Sequence, residues 1–116
     1  MESRRRWKQR AARAALALGL VVMLDAPAGS EQGVTIQTFQ FKPTPVEVSP
    51  GAKVSFTNQD DITHTVTSGT PDSPDGRFSH RLEGKGSTAT VELGKPGVYP
   101  YFCERHRSMR GEIRVK

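Results

Sequence analysis

The chain has 116 residues, 17 Lys and Arg against 12 Asp and Glu, a formal net charge of +5 and a single cysteine. That length allows one small domain and excludes a multidomain enzyme. The lone cysteine excludes an internal disulfide framework, and the location of the positive charge decides what the charge means.

Residues 1–28 open with Arg4, Arg5, Arg6, Lys8, Arg10 and Arg13, continue through an apolar run from Ala14 to Leu24, and end at the small-residue site Ala26-Pro27-Ala28. This order predicts a secretory signal peptide cleaved after Ala28. A membrane tether is the competing expectation, but the run falls short of the roughly 20 residues needed to cross a bilayer. The stretch SRRRWK matches a twin-arginine export signal only loosely. The segment holds six basic and two acidic residues, which leaves 11 basic against 10 acidic in residues 29–116. The basic character therefore belongs to targeting, and nucleic-acid binding is not needed to explain it. A periplasmic or otherwise exported domain is expected over residues 29–116.

Beyond residue 30 no helical period appears. Short alternating or β-branched runs follow in order: 34–41 (VTIQTFQF), 46–48 (VEV), 53–58 (KVSFTN), 64–67 (HTVT), 87–93 (STATVEL), 98–103 (VYPYFC) and 111–116 (GEIRVK). Turn signals such as Ser49-Pro50-Gly51 and the Gly/Pro/Asp cluster SGTPDSPDGR separate them. The pattern predicts an all-β, antiparallel sandwich or barrel. Residues 68–86 read as loop or as a short strand near Phe78. Pro100 lacks an N–H, so its strand is expected at an edge or with a bulge. In an extended strand, Tyr99, Tyr101 and Cys103 share one face, and His64 shares a face with Val66.

An unpaired cysteine in an exported protein is a dimer link, a reactive thiol or a metal ligand. Cys103 belongs to the spacing C-x2-H-x2-M with His106 and Met109. A thiolate, an imidazole and a thioether form a soft donor set that favours copper, whereas zinc sites do not use methionine. His64, on a distant strand, is the candidate fourth donor. Taken singly, each residue has a plainer reading: a buried small hydrophobe for the cysteine, filler for the methionine, a surface position for the histidine. The combination carries the assignment.

With FKPTPVEVSPGAKVSFTNQDDITHTVTSG, GRFS and GVYPYFCERHRSMRGEIRVK, the chain resembles the cupredoxins, small blue (type 1) copper proteins of the plastocyanin/amicyanin class, over roughly residues 34–116. The resemblance implies a cupredoxin-like Greek-key β-sandwich/barrel with one type 1 copper held by His64, Cys103, His106 and Met109. The compact loop is similar to amicyanin's, and Tyr99 fits the family's tyrosine corner. Two positions depart from the pattern. Thr65 stands where many members carry an Asn that braces the cysteine loop, and Arg107 stands where many carry Pro. His80 has no counterpart among the ligands and reads as a surface-loop residue.

The resemblance implies single-electron transfer by Cu(II)/Cu(I) cycling in a monomer that is not an enzyme. Arg105, Arg107 and Arg110 around the loop ligands point to an acidic redox partner, such as a cytochrome, docking near His106. The alternative is a copper carrier or buffer without electron turnover.

Overall fold

Alternation builds the fold. In the segment Lys53–Asn58 the side chains of Val54, Phe56 and Asn58 are buried and those between them are not, the signature of a strand with one face on a core. The computed structural model describes residues 30–116, so the expected signal peptide lies outside the described residues. These fold into nine strands: β1 (Glu31–Ile36), β2 (Phe41–Lys42), β3 (Val46–Val48), β4 (Lys53–Asn58), β5 (His64–Thr70), β6 (Ser73–Leu82), β7 (Thr88–Glu92), β8 (Gly97–Phe102) and β9 (Arg110–Val115). One sheet has the order β2-β1-β4-β7 and the other β3-β9-β8-β5-β6. No helix occurs among the described residues.

The all-β sandwich agrees with the sequence reading, with four differences. First, the sheets are mixed, because β1 pairs parallel with β4 and β3 parallel with β9. Second, the run 34–41 is two strands, broken at Thr38 and Phe39, whose φ angles are 55° and 58°. Third, residues 68–86 are largely strand: β5 runs on to Thr70 and turns directly into the ten-residue β6. His80 therefore lies on edge strand β6, opposite Val66, and not in a loop.

Fourth, β8 is an inner strand between β9 and β5. Pro100 is tolerated there for a local reason. Pairing of β8 with β5 covers only Thr67↔Phe102 and Ser68↔Tyr101. Just beyond Ser68, at Gly69, whose φ is 101°, the register of β5 against its other neighbour β6 also shifts. Pro100 thus sits where the ladder toward β5 has ended and no N–H is required.

The core between the sheets includes Val34, Ile36, Val54, Val66, Leu82 and Ile113, all at most 1% exposed. Inside it Phe41, Phe56 and Tyr101 meet edge to face, with ring centroids 4.8 Å apart for Phe41–Tyr101 and 5.1 Å for Phe56–Tyr101. Such pairs contribute about 0.5–1.5 kcal/mol each beyond the area they bury. Tyr99 forms the expected corner, its hydroxyl donating to the Lys95 carbonyl at 2.7 Å.

Tyr101 faces Gly111 across β8–β9. A Cβ at Gly111 would run into the Tyr101 ring, so the absence of a side chain there makes room for the aromatic cluster. Gly111→Ala is expected to destabilise the protein by about 1–3 kcal/mol through overpacking. Urea denaturation checks this: the midpoint should fall with the slope unchanged.

Candidate metal centre

Strand order brings the site together. β5 begins at His64 and β8 ends at Phe102, one residue before Cys103. Their antiparallel pairing places His64 beside Cys103, although 39 residues separate them in the chain. The thiol Sγ lies 3.8 Å from His64 Nδ1 and 3.8 Å from His106 Nδ1. The donor atoms of the three residues fall within 4.8 Å of one another. Cys103 and His64 are fully buried and His106 is half-buried. Met109 is buried in the same apolar cluster as Cys103. His80 is not part of the group.

The separations suit a single shared ion. Metal–thiolate and metal–imidazole bonds of about 2.3 and 2.0 Å put sulfur and nitrogen about 3.7 Å apart at a trigonal angle, and about 3.5 Å apart at a tetrahedral one. The observed 3.8 Å for both pairs lies close to either value, so one ion can be shared by the thiolate and both imidazoles, and a His2Cys set with a thioether nearby is the donor chemistry of blue-copper sites.

The loop after Cys103 closes on itself. The Cys103 N–H donates to the Met109 carbonyl at 3.1 Å, and the Met109 N–H donates to the His106 carbonyl at 2.9 Å. These bonds give Cys103–Met109 a fixed shape with Arg107 in the place of a proline. Arg107 also reaches across to the Pro71 carbonyl at 3.4 Å. Thr65 provides the remaining brace. Its backbone N–H donates to Cys103 Sγ at 3.3 Å, and its hydroxyl accepts the Glu104 N–H at 2.8 Å. That hydroxyl lies 3.1 Å from Thr67 Oγ1, which lies 3.3 Å from Ser79 Oγ. A threonine therefore does the work of a longer amide, anchored by a row of hydroxyls leading to β6.

Asp60 was not singled out in the sequence. Its Oδ2 lies 2.8 Å from His64 Nε2. A carboxylate there can only accept, so the proton sits on Nε2 and the Nδ1 lone pair is left free toward Cys103. Burial pushes the Asp60 carboxyl up, but the N–H groups of Phe39 and Thr38 and the His64 ring outweigh it and hold the group below its ordinary value. Asn58, fully buried, shapes the loop that presents Asp60. It accepts the Asp60 N–H at 2.9 Å and donates to the carbonyls of Ile62 and Leu82. The available signal was a carboxylate four residues before a candidate ligand, blurred by the adjacent Asp61.

A two-sheet β-sandwich with a His2Cys cluster at one end, and a methionine buried beside it, has the make-up of a mononuclear cupredoxin. Comparison with known proteins agrees. Residues 28–116 match the model of the plastocyanin/azurin family of copper-binding proteins. Plastocyanin A/B of Petroselinum crispum is 30% identical over 95 residues, covering 75% of this chain and 94% of the relative. Amicyanin from Paracoccus versutus superposes with a TM-score of 0.63 at 23% identity, covering 80% of this chain and 87% of that one. A purple cupredoxin from Nitrosopumilus maritimus gives 0.67 at 22% identity, covering 73% and 99%. The chain belongs to the plastocyanin/azurin family of copper-binding proteins, whose general function is electron transfer on a bound copper.

Asp60→Asn leaves one acceptor oxygen for the three N–H groups of Thr38, Phe39 and His64 and sets an NH2 against at least one of them. Copper affinity is expected to fall about 10–100-fold, the usual effect of losing a partner that orients a ligand. Competition with a chelator measures this. Nitrogen NMR of the apo-protein should show the His64 proton on Nε2 in wild type and a tautomer mixture in the variant.

Proposed function

We propose that the chain is an exported, monomeric one-electron carrier and not an enzyme. In this reading residues 1–28 are removed as a signal peptide, and residues 29–116 hold one copper through His64, Cys103, His106 and Met109 in the periplasm or an equivalent compartment. The observation that carries the proposal is the pair of 3.8 Å sulfur–nitrogen separations about Cys103, with one imidazole sealed and the other reaching the surface.

Copper, when bound, supplies a one-electron couple. The residues supply a site that needs little rearrangement. Cys103 binds as thiolate, which the metal and the Thr65 N–H both favour. His64 is held by Asp60 and His106 by its closed loop. His106 offers the half-exposed edge through which an electron leaves for a partner.

Two measurements test this. Visible and EPR spectra after copper addition should show an intense thiolate-to-copper band, which Cys103→Ser should abolish. Loss of His64 in His64→Ala should open the site to water and weaken copper binding. A colourless copper adduct would favour the carrier or buffering alternative. Copper at 100 times its Kd should stabilise the native state by about 2.7 kcal/mol, read as a rise in melting temperature.

The partner is proposed from charge. Arg105, Arg107 and Arg110 are exposed around His106, and among the described residues none forms a salt bridge with a carboxylate. With residues 29–116 nearly neutral, this rim is the local field that steers an acidic partner such as a cytochrome. Electron transfer to such a partner should slow with salt as the Debye length shrinks from about 30 Å at 0.01 M to about 10 Å at 0.1 M. Arg105→Glu/Arg107→Glu should slow it at low salt and leave the visible spectrum unchanged. Stopped-flow rates indifferent to both would remove the acidic partner from the reading.

A further inference from the structure

The β1–β2 connection is built against local preference. Gln37 and Gln40 exchange backbone hydrogen bonds of 2.9 and 3.1 Å around two central residues, Thr38 and Phe39. Both have positive φ, 55° and 58°. Two-residue hairpins of this kind favour Asn-Gly, because left-handed backbone crowds a Cβ. A β-branched and an aromatic residue are among the poorest choices. Phe39 also leaves 47% of its surface exposed, so burial alone does not account for it.

The strained turn is held by Asp60. Its Oδ1 accepts the Thr38 N–H at 2.8 Å and its Oδ2 accepts the Phe39 N–H at 3.0 Å. The same Oδ2 receives His64 Nε2–H. One carboxylate thus ties the turn to a histidine of the metal centre. The tie brings the Phe39 ring edge-on to both imidazoles, with centroids 4.7 Å from His106 and 5.3 Å from His64 and interplanar angles of 83° and 85°. The two imidazoles are 5.1 Å apart, so the three rings close a triangle.

Strained backbone of this sort persists where the surroundings over-determine it, and it clusters at functional positions. We propose that Phe39 is a cap, locked over His64 and His106 by Asp60, that keeps both imidazoles from turning away from the metal. This rests on the ligand set proposed above. Phe39 is a positioning residue here: it donates nothing to the metal and acts by restricting the two rings that do.

The test separates the strain from the cap. Phe39→Ala removes the ring and keeps the crowded Cβ, whereas Phe39→Gly removes both. In the copper-free protein, Phe39→Gly should melt roughly 4 °C above Phe39→Ala because it relieves the turn. In the copper-loaded protein, both variants should lose copper to a chelator about tenfold faster than wild type, the worth of two edge-to-face contacts. Both should also show altered copper hyperfine splitting by EPR. Phe39→Tyr should restore the wild-type rate and spectrum. Equal copper loss from wild type, Ala and Gly variants would overturn the cap. A Gly variant no more stable than the Ala variant would overturn the strain that sets it. Wild-type protein that binds no copper would instead refute the ligand set, a result that the copper-free comparison leaves distinct.

Discussion

The short antiparallel pairing of β5 with β8 is the contact on which the rest of the structure depends. It extends over only Thr67↔Phe102 and Ser68↔Tyr101, yet it fixes the first histidine against the cysteine. A slip of one residue would turn His64 from the core side to the opposite face and carry the Thr65 N–H away from Cys103 Sγ. Neighbouring features hold the register. The pairing stops at Ser68, beside the irregularity of β5 against β6 at Gly69, Pro100 gives it no further donor, and the Thr65 hydroxyl clasps the Glu104 N–H at the other end. The site is thus a consequence of sheet register, and the loop from Cys103 to Met109 needs only to fold back on itself to add His106.

From that pairing outward, the support has two arms. On one side a hydroxyl row runs Thr65, Thr67, Ser79 into edge strand β6. On the other, Asn58 holds the loop that presents Asp60, and Asp60 holds His64 and the turn bearing Phe39. Asn58, Thr65 and Thr67 are buried, Asp60 is half-buried and Ser79 is exposed, and each has its partners. A buried member left unsatisfied would cost about 1–3 kcal/mol. Satisfied, they limit how far the ligands move when the charge on the site changes, which is the physical requirement for a carrier that alternates between two oxidation states.

Much of this was legible in the sequence. Period-two alternation in KVSFTN marked β4, and C-x2-H-x2-M marked the loop, because both are local patterns read directly from spacing. The parallel partnerships β1–β4 and β3–β9 were not legible, since strand pairing across long separations leaves no local trace. Residues 68–86 misled because Gly, Pro and Asp there mark one tight turn, and the ten-residue strand after it is mostly exposed and carries little apolar alternation. Thr38 and Phe39 argued for continued strand by propensity, and tertiary contacts overrode it. Asp60 could not be told from Asp61 in the sequence, because its role appears only once His64 Nε2, Thr38 and Phe39 converge on it.

The burial of the site also bears on which way an electron travels. His64 is sealed, and the aromatic residues preceding Cys103 offer no way station. Phe102 is a buried hydrocarbon ring. The Tyr101 hydroxyl has no hydrogen-bond partner among the described residues. Burial pushes its pKa far up. A phenol gives up an electron readily only when its proton has a base to go to, and none adjoins this one. Neither ring is therefore a redox relay beside Cys103. The same packing that keeps His64 dry leaves only His106 of the two imidazoles in reach of solvent. The half-exposed imidazole, the Phe39 ring over it and the arginine rim around it form a single face, where access to the metal and restraint of its ligands are set by the same few side chains.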